Sequence, residues 1–106
     1  MRHAYDGLEI DEDLCMLRRD GVPVRVEPRV FDFIVYLVRC APRAVRKTEL
    51  VEHVWGGTKV SPSAIARCVC VARRVTGNGS AIRTVHGRGY QWVGPKGDTR
   101  VTGRVP

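Results

Sequence analysis

The tripeptide Val60-Ser61-Pro62 constrains this chain more than any other feature. Ser61 offers an N-cap hydroxyl, and Pro62 occupies a first helical position where a missing amide donor costs nothing, so a helix is expected from residue 62. Ile65, Val69, Ala72 and Thr76, with Cys68 and Val75 beside them, then recur at helical spacing and are expected to face inward. Ser63, Arg67, Cys70 and Arg74 fall on the outer side. Gly77, followed by Asn78-Gly79-Ser80, stops the helix and turns the chain. Ala81 to Val85 and Gly89 to Val93 are short runs rich in β-branched and aromatic residues, joined by His86-Gly87-Arg88-Gly89. They predict a β-hairpin with a flexible tip, on which Arg83, His86 and Arg88 place charge or potential charge.

Charge is divided unevenly along the chain. Residues 1–59 carry ten basic and ten acidic side chains, whereas residues 60–106 carry eight basic side chains and one acid, Asp98. The whole formal net charge of +7 therefore lies in the segment that holds the capped helix and the hairpin. A polyanion-binding face needs this asymmetry, because each phosphate neutralised by Lys or Arg releases condensed counterions. A solvated basic surface without a partner, or a module that docks on an acidic protein, accounts for the same asymmetry.

Upstream, residues 3–26 alternate apolar with polar and are broken at Asp6-Gly7, Asp11-Glu12-Asp13 and Asp20-Gly21. The pattern predicts a small antiparallel sheet with strands near Leu8 to Ile10, Leu14 to Arg18 and Val22 to Val26. Pro28 opens a helix running to about Cys40, with Phe31, Ile34, Leu37 and Val38 on one side. Ala41-Pro42 ends it. A second helix starts at Arg46-Lys47-Thr48-Glu49, with Leu50, Val51, Val54 and Trp55 as its apolar positions. Arg46 and Lys47 stand at its N-terminus, where added positive charge favours a phosphate. Gly56-Gly57-Thr58-Lys59 leads on to the capped helix. The fold class is α+β, with residues 1–94 as one domain and the Gly- and Pro-rich residues 95–106 as a flexible tail or linker.

Little in the chain suggests catalysis or a metal. Cys68 and Cys70 are separated by one residue, not the two to four usual for zinc, and in a helix they point about 160° apart. Ser61, Ser63 and Ser80 lack a histidine placed for a triad, and Gly87-Arg88-Gly89 is too short, and lies between strands, to be a nucleotide loop. No catalytic residue, cofactor, metal or small-molecule substrate is expected. No run approaches the roughly 18 apolar residues of a membrane span, so a cytoplasmic location is expected.

Glu27-Pro28-Arg29-Val30-Phe31, Glu49-Leu50-Val51-Glu52-His53-Val54-Trp55-Gly56, Val60-Ser61 and Arg83-Thr84-Val85-His86-Gly87-Arg88-Gly89-Tyr90 together resemble the winged helix-turn-helix output domain of the OmpR/PhoB family. The similarity spans about residues 8–93. The short link from Trp55 to Ser61, with no receiver domain before it, resembles the ToxR/CadC branch, in which the domain is the amino-terminal, cytoplasmic part of a longer one-component regulator.

The resemblance implies an N-terminal antiparallel sheet, a three-helix core and a C-terminal hairpin wing. Its function would be sequence-specific binding of double-stranded DNA in bacterial transcription regulation. The helix from Pro62 would lie in the major groove and the hairpin tip at the minor groove. Ser63, Arg67 and Val71 would face base edges, Arg67 favouring guanine and Val71 a thymine methyl. Arg73 and Arg74 would meet phosphates, as would the Thr84 hydroxyl and the Trp55 indole N–H, while His86 and Arg88 would reach from the wing. Gly56 to Lys59 would be available to RNA polymerase, and two copies would bind direct repeats. Glu27, standing where the family usually has a threonine cap, is expected to accept amide hydrogen bonds at the start of the first helix.

Overall fold

The computed structural model describes residues 2–5, 7–77 and 79–94; the expected tail, 95–106, lies outside them. Strands β1 (Arg2–Tyr5), β2 (Leu8–Asp11), β3 (Met16–Arg19) and β4 (Val22–Val24) form an antiparallel sheet in sequence order. Asp20 and Gly21 both have positive φ, 51° and 81°, as expected for a two-residue hairpin turn that follows the twist of its strands. Pro23 lies on β4, an edge strand of this sheet, where a missing donor breaks no inner ladder. The sheet turns Leu8, Ile10 and Leu17 into the core.

Two expectations change here. Strand β1 was not expected. It is held by backbone pairing with β2 and by Arg2 and His3, which reach Glu9, Asp11 and Glu12 across the sheet. Strand β3 starts at Met16 instead of Leu14, because Cys15 takes φ 50° in the turn and leaves Leu14 60% exposed.

Helix α1 (Pro28–Cys40) supplies Val30, Phe31, Phe33, Ile34, Leu37 and Val38 to the core and packs on α3 and β6. Glu27 is its N-cap by backbone geometry, but its side chain makes no capping bond, contrary to expectation, because Arg67 holds the carboxylate. Helix α2 (Lys47–His53) is a short element that ends before Trp55. Arg43 and Tyr36 both donate to Glu49, fastening α2 to α1.

Helix α3 (Pro62–Val75) buries Ile65, Cys68, Val69, Ala72 and Val75. Its cap is as expected, with the Ser61 hydroxyl accepting from the Ala64 amide at 3.2 Å. Thr76 is buried, and its hydroxyl donates to the Ala72 carbonyl at 2.7 Å. Strands β5 (Ile82–Val85) and β6 (Gly89–Trp92) make the hairpin, and Val45 adds a two-bond antiparallel bridge to Tyr90. Among the described residues no helix is long and apolar enough to cross a membrane.

Candidate nucleic-acid interface

Helix α3 owes its two faces to its sequence period. Cys68 is buried, with burial raising its thiol pKa to about 11, while Cys70, two residues on, is exposed. Ser63, Arg67 and Arg74 lie on the exposed side with Cys70. Val71 is half-buried and packs against the edge of the core, so it offers only part of its surface.

The Arg67 guanidinium does not stand alone. It donates to both carboxylate oxygens of Glu27, at 3.3 and 3.2 Å, across 40 residues of sequence. Hydrogen bonding from Arg67, more than its charge, holds the Glu27 carboxyl below the usual carboxylate range. Both side chains remain mostly in solvent, Arg67 at 65% and Glu27 at 57%. They line one groove of about 490 Å³ together with Arg25, Val71 and Arg74. Arg25 was not singled out from sequence, and Glu27 only as a cap of α1, because both precede α1 and nothing local marks them as neighbours of α3.

Arg73 has a different geometry from its neighbour Arg74. It is half-buried, and its Nε donates to the Ile82 carbonyl at 3.1 Å while Nη2 donates to the Thr84 hydroxyl at 2.6 Å. The last turn of α3 is therefore fastened to the hairpin. Thr84 in turn lines a second groove, of about 480 Å³, in which Arg46 and Lys47 face His86 and Arg88 across the hairpin tip. The hairpin opposite, more than the dipole of a helix of seven residues, makes this end of α2 a cationic cleft.

Gly89 narrows the meaning of the flexible tip. The Val45 carbonyl passes so near that a β-carbon at Gly89 would lie 1.9 Å from its oxygen, at a φ of 129°. The base of the tip is thus pinned by close backbone approach. Gly87, with φ 73° and nothing within 4 Å of a β-carbon, is the position that serves the turn alone.

Trp55 lies outside both grooves, half-buried against the core, with the Arg29 guanidinium 5.9 Å from its ring centroid. Arg29 also donates to the Val54 carbonyl, locking the end of α2 to α1. Gly56 to Lys59 form an exposed loop, shaped by positive φ at both glycines and by a hydrogen bond that the Gly57 amide N–H donates to the Val51 carbonyl at 2.8 Å. Most of the expected site residues thus gather into two sets, Arg67, Val71 and Arg74 beside α1, and Arg46, Lys47, Thr84, His86 and Arg88 at the hairpin, while Ser63, exposed on the first turn of α3, lines neither groove. Arg73 joins the sets through Thr84. Among the described residues no cluster of three His, Cys, Asp or Glu side chains is placed to hold a metal.

Residues 21–92 match the family described as transcriptional regulatory protein, C terminal. The chain belongs to that family. A curated relative of this transcriptional regulatory C-terminal domain, the uncharacterized transcriptional regulatory protein YkoG of Bacillus subtilis, is 30% identical over 53 residues, which are 50% of this chain and 23% of that protein. The domain therefore spans about a quarter of that relative's length. Among solved structures, it superposes on the DNA-binding domain of Escherichia coli CadC with a TM-score of 0.76 at 21% identity, covering 87% of this chain and 91% of that one. The Klebsiella pneumoniae RstA DNA-binding domain, solved in complex with the RstA box, gives 0.75 at 20% identity over 86% and 95%. The Thermotoga maritima response regulator DrrB, an OmpR/PhoB homologue, gives 0.79 at 22% identity over 88% of this chain and 44% of that one. The domain thus has the winged-helix architecture of OmpR/PhoB-type regulators, with a four-stranded N-terminal sheet, three helices and a C-terminal hairpin.

Proposed function

We propose that this domain binds double-stranded DNA in bacterial transcription regulation, with α3 in the major groove and the β5–β6 wing at the neighbouring minor groove. The observation that carries the reading is the Arg73–Thr84 contact, since it makes the cations of the helix and those of the wing parts of one connected assembly. Ser63, Arg67 and the exposed part of Val71 face base edges. Arg74, Arg46 and Lys47 meet phosphates, with Arg88 and His86 at the wing tip. Arg73 reaches a phosphate through Nη1 while its other nitrogens hold the wing, and Thr84 donates its O–H, which the Arg73 contact leaves available, to a phosphate oxygen. The Trp55 indole N–H adds a phosphate contact at the margin. The chain then acts in the cytoplasm, and no substrate or cofactor enters.

Two copies bind direct repeats on this reading, and the exposed loop from Gly56 to Lys59 faces RNA polymerase. Titration of salt against affinity for a duplex tests the central claim. With roughly five phosphates neutralised, log affinity falls with log salt at a slope near −4 to −5. A flat response, or no binding to any duplex, overturns the reading and favours an acidic protein as partner.

A further inference from the structure

We propose that Glu27 is a specificity-determining residue that occupies the Arg67 guanidinium until a correct base replaces it. The inference rests on the DNA-binding reading above. A carboxylate that accepts two parallel N–H bonds from arginine uses the donor pair with which arginine reads the N7 and O6 of guanine. Glu27 satisfies that pair at 3.2 and 3.3 Å from a fixed point, the start of α1. It gives up no role as a helix cap to do so, since its side chain makes no capping bond.

The exposure of both partners makes the pair exchangeable. An ion pair in water is worth little in free energy, so it opens readily when a better acceptor arrives. Two classes of DNA then part company. A duplex with guanine opposite Arg67 replaces two hydrogen bonds with two, and the released Glu27 carboxylate is left facing Arg25 and Arg74 in the same groove. A duplex without it either leaves the pair closed, with the Glu27 carboxylate facing the phosphates, or opens it without an equivalent acceptor. Arg25 and Arg74 border the same groove, so attraction for phosphates persists on both sides of the pair. Glu27 thus lowers affinity for wrong sequences more than for the right one, which is discrimination by a repulsive element.

The experiment compares the wild-type chain with Glu27→Gln on two duplexes of equal length, one selected from a random pool by the wild-type protein and one with the same bases scrambled. Glu27→Gln is expected to tighten the scrambled duplex about two- to five-fold, the range an exposed ion pair controls, while the selected duplex changes by less than about two-fold. The scrambled-duplex salt slope should steepen by roughly 0.9, as one more cation meets a phosphate. In an Arg67→Ala background the same substitution should lose most of its effect, because Glu27 acts through Arg67. Equal tightening of both duplexes overturns the proposal in favour of simple charge repulsion. Equal weakening of both, or no change on either, overturns it in favour of a packing role or none. If the wild-type chain binds no duplex at all, the DNA-binding reading itself fails and the proposal goes with it.

Discussion

Gly89 and Val45 approach each other so closely that no side chain fits between them: a β-carbon on Gly89 would lie 1.9 Å from the Val45 carbonyl oxygen and 2.7 Å from its carbon. The contact follows from the two hydrogen bonds that join Val45 to Tyr90, 2.7 and 3.0 Å long, which add a third strand segment to the wing. Gly89→Ala should therefore combine an unfavourable φ with a backbone clash and lower stability by roughly 2–4 kcal/mol. Gly87→Ala, strained at φ 73° but free of neighbours, should cost only about 1–2 kcal/mol. Urea unfolding of the two variants checks the order, and equal losses would show that the close approach is not what requires glycine at 89.

Arg73 and Thr84 form a second junction. Arg73→Ala removes two hydrogen bonds, one from a charged donor to a backbone carbonyl, and should lower stability by about 1–3 kcal/mol. Because the wing loses its fastening to α3, DNA affinity should fall by more than loss of one phosphate contact gives. A double-mutant cycle with Thr84→Val measures the junction directly, and additive effects would mean that the two side chains do not act together.

Acid should loosen the joint between α1 and α2. Hydrogen bonding from Arg43, then from Tyr36, holds the Glu49 carboxyl down at about 2 from an ordinary value of 4.5. A carboxyl with a depressed folded-state pKa stabilises the fold above its unfolded value and loses that contribution as pH falls, here between 4.5 and about 2. Since Arg43 is half exposed, solvent screening limits the contribution to on the order of 1 kcal/mol. Glu12, held low first by Arg39 and then by His3, titrates in the same direction. Denaturant unfolding between pH 6 and pH 2.5 should therefore show a shallower acid decline in Glu49→Gln than in the wild type, and parallel curves would remove Glu49 from the account.

On the DNA-binding reading, Arg67→Ala removes a bidentate base contact, so it should weaken a selected site by about 1–3 kcal/mol and a scrambled duplex far less. Arg88→Ala should weaken both alike and reduce the salt slope by about 1. Competition assays at two salt concentrations separate the two patterns. Wild-type behaviour of Arg67→Ala on both duplexes would place base reading elsewhere on the helix.

Much of the architecture was legible because it is written locally. Ser61-Pro62 sets the start of α3, the period of Ile65, Val69 and Ala72 sets its inner face, and Asp20-Gly21 sets a hairpin. Strand β1 was not, because the alternation over His3, Ala4 and Tyr5 is too short to announce a strand by itself, and its support comes from pairing with β2 and from carboxylates outside β1. The same limit applied at the site. Arg67 and Arg73 were legible as cations on α3, but their different environments depend on Glu27 and Thr84, contributed by the start of α1 and the wing. The Gly-x-Gly-Tyr motif reads as a turn signal in sequence. Its second glycine turns out to answer to Val45, a residue more than one element away.

The wing is anchored along one side by Arg73 and along the other by Val45. A hairpin fastened on both flanks has little freedom to swing, so on the DNA-binding reading the protein works as a gauge of fixed span. Operators whose groove widths match that span are met without distortion, and others must bend or narrow to comply, which makes the stiffness of bases that no side chain touches part of what the domain selects.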